Sequence, residues 1–142
     1  MTAELIFTIA NVLSVLCWIL LAVLPNRRWV TDVVTGKAAP GLFAAAYIAI
    51  VIAVFPRAEG SFSTLAGVME LFANPWLLLA GWLHYLAFDL LVGTWEARDS
   101  IERGVPRWLL VSCLFLTLMF GPMGWIVYMA VRAPYGPSPA RV

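Results

Sequence analysis

Ionisable side chains interrupt one of the apolar runs of the chain. Residues Trp76–Val92 are apolar except for His84, the only histidine, and Asp89, and Glu96 and Asp99 follow shortly after them. A continued α-helix turns about 100° per residue, so the spacing predicts that all four side chains lie on one side of it. Ionisable groups at membrane depth face the protein interior and mark functional paths. We therefore predict His84, Asp89 and Glu96 as catalytic residues; the alternative is that His84 and Asp89 are hydrogen-bonded groups that hold helices together.

The residue types and motifs that the sequence lacks exclude several classes of enzyme and leave proton transfer without a cofactor as the candidate chemistry. A single histidine cannot supply the ligand sets of membrane di-iron enzymes or of bis-histidine haem sites. The chain has no Gly-rich nucleotide loop after a strand and no serine elbow motif. A metal on His84, Asp89 and Glu96 is disfavoured, because about 18 Å separate His84 from Glu96 along a straight helix. The sequence therefore predicts no metal, no cofactor, and either acid–base chemistry on an apolar substrate or no chemistry.

A helix break in the last apolar run predicts a pocket beside these residues. Pro122 has no N–H, which frees the carbonyl of Leu118, and Gly121 permits a bend. In lipid, a freed carbonyl must face protein, water or a ligand. We therefore predict a substrate pocket at mid-membrane depth. Its candidate substrate-binding residues are Asn11, Tyr85, Phe88, Thr117, Phe120, Gly121 and Pro122.

The composition indicates that membrane-spanning helices position these residues. Apolar residues make up 63% of the chain and charged residues 12%, against about 45–50% and about 25% in soluble domains. This excludes a soluble globule, and a net charge of +1 offers no basic face for nucleic acid. A span needs roughly 20 helical residues. Four runs approach this length: Leu5–Leu24, Gly41–Phe55, Trp76–Val92 and Trp108–Val131.

The predicted fold class is all-α, a polytopic integral membrane protein with four transmembrane helices in a compact bundle over residues 1–133. An irregular Pro-rich tail is predicted over residues 134–142. Between the second and third helices, apolar residues from Leu65 to Phe72 recur at helical spacing, which predicts an interfacial amphipathic helix or else an irregular loop. Small residues every four positions on the second helix favour close packing, within the bundle or between protomers. They are Gly41, Ala45, Ala49 and Ala53.

Basic residues predict the orientation of the chain in the membrane. Loops 25–40 and 93–107 carry six of the nine Lys and Arg residues. The positive-inside rule places these two loops in the cytoplasm and, with four spans, both termini outside. Since no transit peptide is evident, we expect the inner membrane of a bacterium. The expected partners are the lipid bilayer, an apolar substrate, and a second copy of the chain or a larger membrane assembly.

Two segments resemble the ABA4-like family (abscisic acid deficient 4). Residues 84–96 read HYLAFDLLVGTWE and residues 120–124 read FGPMG, followed by Tyr128 and Arg132. The resemblance implies a four-helix integral membrane protein. Plant members of the family are needed to form neoxanthin from violaxanthin, an isomerisation that opens an epoxide and creates an allene. The resemblance therefore implies a carotenoid or related isoprenoid as substrate, with His84 as base and Asp89 as acid, or the reverse.

Three functions remain open from the sequence. The first is a carotenoid- or isoprenoid-modifying isomerase, which requires a lipid-accessible pocket at His84 and Asp89. The second is a non-catalytic pigment-binding or accessory subunit of a larger membrane assembly. The third is a small transporter or proton relay, which requires a water-lined path from Asp89 to Glu96.

Overall fold

The structure, a computed structural model, describes residues 2–136, and within that range it is helical with no strand. This confirms the all-α prediction. The helices are α1 (Ala3–Val23), a π-helical segment (Trp29–Ala38), α2 (Ala39–Val54) with a 3₁₀ turn (Phe55–Arg57), α3 (Leu65–Ala73), α4 (Pro75–Arg103), α5 (Arg107–Phe120) and α6 (Pro122–Arg132).

Three helices are long and apolar enough to cross a membrane. They are Ala3–Val23, the continuous helix Trp29–Arg57, and Pro75–Arg103. Local chemistry defines the ends of α4: the Asn74 side chain accepts from the Trp76 N–H over 2.9 Å, and Gly104 ends the helix in the left-handed region at φ 69°. The chain therefore has the helices of an integral membrane protein.

Helix α4 lies at the centre of the fold and packs against every other helix. Two of its side chains, Leu83 and Leu90, are fully buried. Gly93 brings α1 and α5 close to it, because a Cβ at Gly93 would lie 2.5 Å from the ring of Trp18 and 3.3 Å from Leu114. Different faces of α4 thus meet different neighbours, which decides where each of its ionisable side chains lies.

The fourth apolar run forms two helices instead of one. Helix α5 ends before Gly121, which adopts φ 47° and ψ −101°, and α6 begins at Pro122. The backbone reverses there, and α6 crosses α5 so closely that a Cβ on Gly124 would overlap the backbone of Thr117. Proline cannot continue the hydrogen-bond ladder, and this glycine conformation is costly for other residues. The predicted break at Gly121 and Pro122 is therefore a complete reversal of the chain, and not a kink within one span over Trp108–Val131.

Side-chain contacts show where this α5–α6 hairpin turns and where it returns. The turn lies beside Asp89, because a Cβ on Gly121 would lie 3.1 Å from Asp89 Oδ1. The end of α6 returns to the end of α4, where Tyr128 and Arg132 contact Asp99 over 2.8 Å each. Asp89 is the middle residue of α4. The hairpin therefore begins near the end of α4, reaches only to its midpoint, and comes back.

The segment between the second and third predicted spans forms the helix α3. Of the two structures that the sequence left open for it, an amphipathic helix or an irregular loop, it adopts the helix. Thr64 caps it by accepting from the Gly67 N–H over 3.1 Å. Leu71 points inward and is buried, whereas Leu65 and Met69 are exposed. This apolar outer surface is the pattern of a helix that lies on a membrane.

Two other predictions concern the surface and the tail. The small residues at positions 41, 45, 49 and 53 are exposed on α2, so they do not pack within this chain, and packing between protomers stays a prediction. Pro134–Gly136 follow the last helix, and the other residues of the predicted tail, 137–142, lie outside the described residues, so the irregular tail stays a prediction.

Candidate functional site

His84 faces a cavity between α2, α3 and α4. The cavity measures about 360 Å³, a volume typical of small-ligand pockets. The His84 ring lies 5.8 Å from the ring of Tyr47 and 4.7 Å from that of Phe88, centroid to centroid. The wall is apolar apart from His84 and the hydroxyl of Tyr47; it consists of Tyr47, Val51, Phe55, Phe62, Leu71, Phe72, Leu77, Ala80, Gly81 and His84.

Helix α3 and the loop before it close one side of the cavity. Phe62 stacks on Phe55 with ring centroids 5.6 Å apart and planes 12° from parallel. Gly81 leaves room for the Phe72 ring, which would lie 3.4 Å from a Cβ at that position. Both Phe62 and Phe72 are partly exposed on their outer sides. An apolar ligand could therefore pass between lipid and cavity without crossing a polar surface.

The opposite face of α4 carries Asp89 and meets the α5–α6 turn. Asp89 Oδ2 is buried and has no hydrogen-bond partner among residues 2–136. One turn earlier, the hydroxyl of Tyr85 donates to the carbonyl of Leu118 over 3.4 Å. This is the carbonyl that Pro122 was predicted to free, and the Tyr85 hydroxyl supplies the partner that it needs in lipid.

Glu96 lies under the α5–α6 hairpin and is completely buried. The hydroxyl of Thr117 lies 2.9 Å from Glu96 Oε1 and 3.2 Å from Oε2, and it donates to this carboxyl group. The close crossing of Gly124 over Thr117 holds that hydroxyl in place. Asp89 and Glu96 are seven positions apart, about 10 Å along α4 and on nearly the same face. Both side chains therefore face the hairpin.

Asp99 joins α4 to the end of the hairpin. Its Oδ2 accepts from the Tyr128 hydroxyl, and its Oδ1 lies 3.0 Å from Arg103 Nε and 2.8 Å from an Arg132 nitrogen. The Arg132 guanidinium also lies over the ring of Trp95, 5.1 Å from its centroid. Tyr128 is fully buried and Asp99 is nearly so. A buried carboxylate with two cations and a hydroxyl is a structural anchor for the hairpin.

Comparison with known protein families shows which family this chain belongs to. The family model for ABA DEFICIENT 4-like proteins matches residues 5–128. The chain belongs to the ABA4-like family. Searches among curated proteins and among solved structures give no significant match. The family match confirms the resemblance found in the sequence, and it covers the cavity and most of the hairpin of this ABA4-like chain.

The structure of this ABA4-like chain places His84 and Asp89 on different sides of α4. The His84 ring contacts the rings of Tyr47 on α2 and Phe88 on α4, whereas Asp89 lies against the turn at Gly121. The sequence predicted that His84, Asp89 and Glu96 share one side of α4. The packing instead places His84 on a different side from the two carboxyl groups. Five positions on a helix correspond to about 140°, which is enough for α2 and the hairpin to pack on separate faces.

The predicted substrate-binding residues are divided in the same way. Phe88 lies with His84, while Tyr85, Thr117 and Gly121 lie with Asp89 and Glu96. Phe120 and Pro122 are exposed beside the turn. Asn11 belongs to neither group: its side chain accepts from the Trp82 indole N–H over 3.0 Å. Among the described residues, no three His, Cys, Asp or Glu side chains are grouped closely enough to hold a metal ion.

Sequence reasoning missed Tyr47 as a cavity residue. Its hydroxyl is the only polar side-chain group in the run Gly41–Phe55, and that isolation is a signal that could have identified it. The anchor at Asp99 was missed as well, because charges near the end of a span are usually solvated. Only the return of α6 brings Tyr128 and Arg132 to Asp99.

Replacing Thr117 with Val is expected to lower the free energy of unfolding by about 1–3 kcal/mol. The change removes the hydroxyl that donates to the buried Glu96 carboxyl group and leaves a buried polar group unsatisfied. Thermal unfolding in mild detergent measures the loss. Thr117→Ser keeps the hydroxyl and serves as the control; equal destabilisation by both variants would mean that packing, and not the hydrogen bond, matters at this position.

Proposed function

We propose that this chain binds a carotenoid or related apolar isoprenoid in the His84 cavity and rearranges it by proton transfer without a cofactor. The observation that carries the proposal is the cavity itself: its apolar wall holds two groups able to move protons, the His84 imidazole and the Tyr47 hydroxyl. Membership of the ABA4-like family supports a lipophilic pigment as the ligand.

The proposed step is an isomerisation in which all atoms are conserved. His84 accepts a proton from the polyene carbon that is attached to the epoxide, and the electrons of that C–H bond form a new double bond to the epoxide carbon. The C–O bond of the epoxide breaks, and its oxygen takes a proton from the Tyr47 hydroxyl. Transfer of the proton from His84 back to Tyr47 then restores both side chains. Each positioned acid or base contributes about 10²–10⁴-fold to such a rate.

The structure favours Tyr47 over Asp89 as the partner of His84. The Tyr47 and His84 rings line the same cavity with their centroids 5.8 Å apart. Asp89 contacts the α5–α6 turn instead. A ligand in the cavity can therefore contact both aromatic groups at once, whereas Asp89 is not among the residues that line the cavity.

The test is pigment conversion in a host that makes carotenoids. Pigments extracted from cells and from the purified protein are separated by chromatography. We expect the unchanged chain to convert a pigment, and His84→Gln and Tyr47→Phe to retain bound pigment without converting it. Asp89→Asn is the matched control and should still convert it. Loss of conversion in Asp89→Asn but not in His84→Gln would move the site to the hairpin.

Another outcome would support the non-catalytic alternative. If the unchanged chain binds pigment in stoichiometric amounts and never converts it, the cavity belongs to a pigment-binding or accessory subunit. An unchanged pigment profile together with a pigment-free protein would contradict both forms of the proposal.

A second candidate function, a proton relay, is favoured by one observation. Asp89 and Glu96 face the same hairpin, and Asp89 Oδ2 has no partner among residues 2–136. A relay through these groups requires water at Asp89. Carbodiimide labelling of Asp89 in membranes tests this, and a completely protected Asp89 would exclude the relay. Glu96→Gln should abolish proton flux into vesicles if the relay exists.

We further propose a membrane topology of three spans and a re-entrant hairpin. In that arrangement, seven of the eight Lys and Arg residues within residues 2–136 lie at the end of the bundle where α4 ends, and only Arg57 lies at the other. The excess of Lys and Arg at one end is larger with three spans than with four, and the positive-inside rule then places that end in the cytoplasm. The bacterial inner membrane is the proposed location.

Reporter fusions at the C-terminus distinguish the two topologies. Green fluorescent protein fluoresces when it stays in the cytoplasm, and alkaline phosphatase is active only outside. We expect fluorescence and no phosphatase activity at the C-terminus, with the opposite result at the N-terminus. Phosphatase activity at both termini would instead support four spans with both termini outside.

A further inference from the structure

A cleft lined by arginine side chains opens at the end of the bundle where α1 and α4 end. It consists of two adjoining cavities of about 350 and 290 Å³ that share Pro25, Asn26 and Ile101 in their walls. We call it the arginine cleft, because Arg28 and Arg98 line the first cavity and Arg107 lines the second. The beginning of α5 contributes Arg107 and Leu110 to it, whereas α6 and the His84 cavity do not line it.

The cations of the arginine cleft are only partly neutralised. Arg98 forms an ion pair with Asp32 over 2.9 Å and donates to the carbonyl of Thr31. Arg107 donates to the carbonyls at the end of α1, over 2.6 Å to Val23, and has no carboxylate partner among residues 2–136. Within that range, the Arg28 side chain contacts neither a carboxylate nor a backbone carbonyl, and it is exposed. Glu102 is the other carboxylate in the wall. The cleft therefore retains a net positive charge.

The position of the cleft points to a lipid and not to a dissolved anion. Trp29 is the first residue of the π-helical segment and Trp108 the second residue of α5, the two elements that flank the cleft, and both are exposed, at 52% and 68%. Exposed tryptophans at the ends of apolar helices mark the level of the lipid headgroups. An anion that is bound at this level is most readily supplied by the membrane itself.

We propose that the arginine cleft binds the phosphodiester headgroup of an anionic phospholipid, with Arg28 and Arg107 as its cationic ligands. Arginine recognises phosphate oxygens through paired N–H donors. Asn26 and Ser100 line the same walls and offer further polar contacts. The headgroup would join the end of α1 to the beginning of α5, two elements that are far apart in the chain.

Lipid-dependent thermal unfolding tests the proposal. The purified chain is reconstituted in nanodiscs of phosphatidylcholine alone or with added phosphatidylglycerol. We expect phosphatidylglycerol to raise the unfolding midpoint by about 3 °C, and Arg28→Gln to lose this gain. Arg57→Gln removes an exposed charge at the opposite end of the bundle and should keep it. Arg28 is preferred to Arg107 for the test, because Arg107 also caps α1.

The remaining outcomes are also decisive. Equal midpoints in the two lipids, or an equal gain in Arg28→Gln, would overturn the proposal. The same gain from inorganic phosphate in phosphatidylcholine would identify a dissolved anion, and not a lipid, as the ligand. Native mass spectrometry provides a second readout: the unchanged chain should retain more phosphatidylglycerol than Arg28→Gln. His84→Gln should behave as the unchanged chain, so failure here is separable from failure of the proposed isomerisation.

Discussion

Replacing Asp99 with Ala is expected to lower the free energy of unfolding by about 3–5 kcal/mol. The Asp99 carboxylate neutralises Arg103 and Arg132, whose side chains are 23% and 15% exposed, and it accepts from the buried Tyr128 hydroxyl. Its removal leaves two cations and a hydroxyl without their partner in a poorly solvated place. Because Arg132 and Tyr128 belong to α6, the hairpin should detach from α4 first.

Thermal and denaturant unfolding in mild detergent measure this loss, and the chain offers a matched control. Asp32 forms an ion pair of almost the same length with Arg98, but these side chains are 48% and 44% exposed. An exposed pair contributes about 0–1 kcal/mol, so Asp32→Ala should be nearly neutral. Equal losses from Asp99→Ala and Asp32→Ala would show that Asp99 does not anchor the hairpin.

Replacing Gly124 with Ala should also be costly, at about 3 kcal/mol. A Cβ at Gly124 would overlap the backbone nitrogen and the hydroxyl oxygen of Thr117. A backbone cannot move aside as a flexible side chain can, so α5 and α6 would have to separate. That separation would also break the hydrogen bond from Thr117 to Glu96.

Gly41→Ala is the control for this second prediction. Gly41 also lies in a helix, but a Cβ there would meet nothing within 4 Å, and Ala is favoured over Gly in a helix by about 0.5–1 kcal/mol. We expect Gly41→Ala to be neutral or slightly stabilising in the same unfolding measurement. In Gly124→Ala, carbodiimide should also label Glu96 faster than in the unchanged chain. Identical behaviour of the two variants would contradict the tight crossing of α5 and α6.

The candidate site could be predicted in part because polar groups are so scarce in the apolar runs. His84 and Asp89 are the only residues within Trp76–Val92 whose side chains can carry a charge near neutral pH, and scarcity alone identified them. Their partners could not be identified in this way. Tyr47 approaches His84 only because α2 packs on α4, and Thr117 reaches Glu96 only because Gly124 lets the hairpin close.

The sequence by itself determined that the chain is helical, that its apolar runs are long enough to span a membrane, and which family it belongs to. These properties depend on composition, on the length of apolar runs, on local signals such as Pro75 at the start of α4, and, for the family, on the motifs at residues 84–96 and 120–124. Each acts over a few neighbouring residues, so it can be read from the chain alone.

Only the tertiary structure decided how the last apolar run is used and which residues share a site. A Gly–Pro pair is compatible with a kinked span and with a complete reversal, and the choice depends on contacts with Asp89 and Asp99, which lie far away in the sequence. His84 and Asp89 point about 140° apart on α4. Whether such residues act together is therefore a property of the helices packed around α4, and not of their spacing along it.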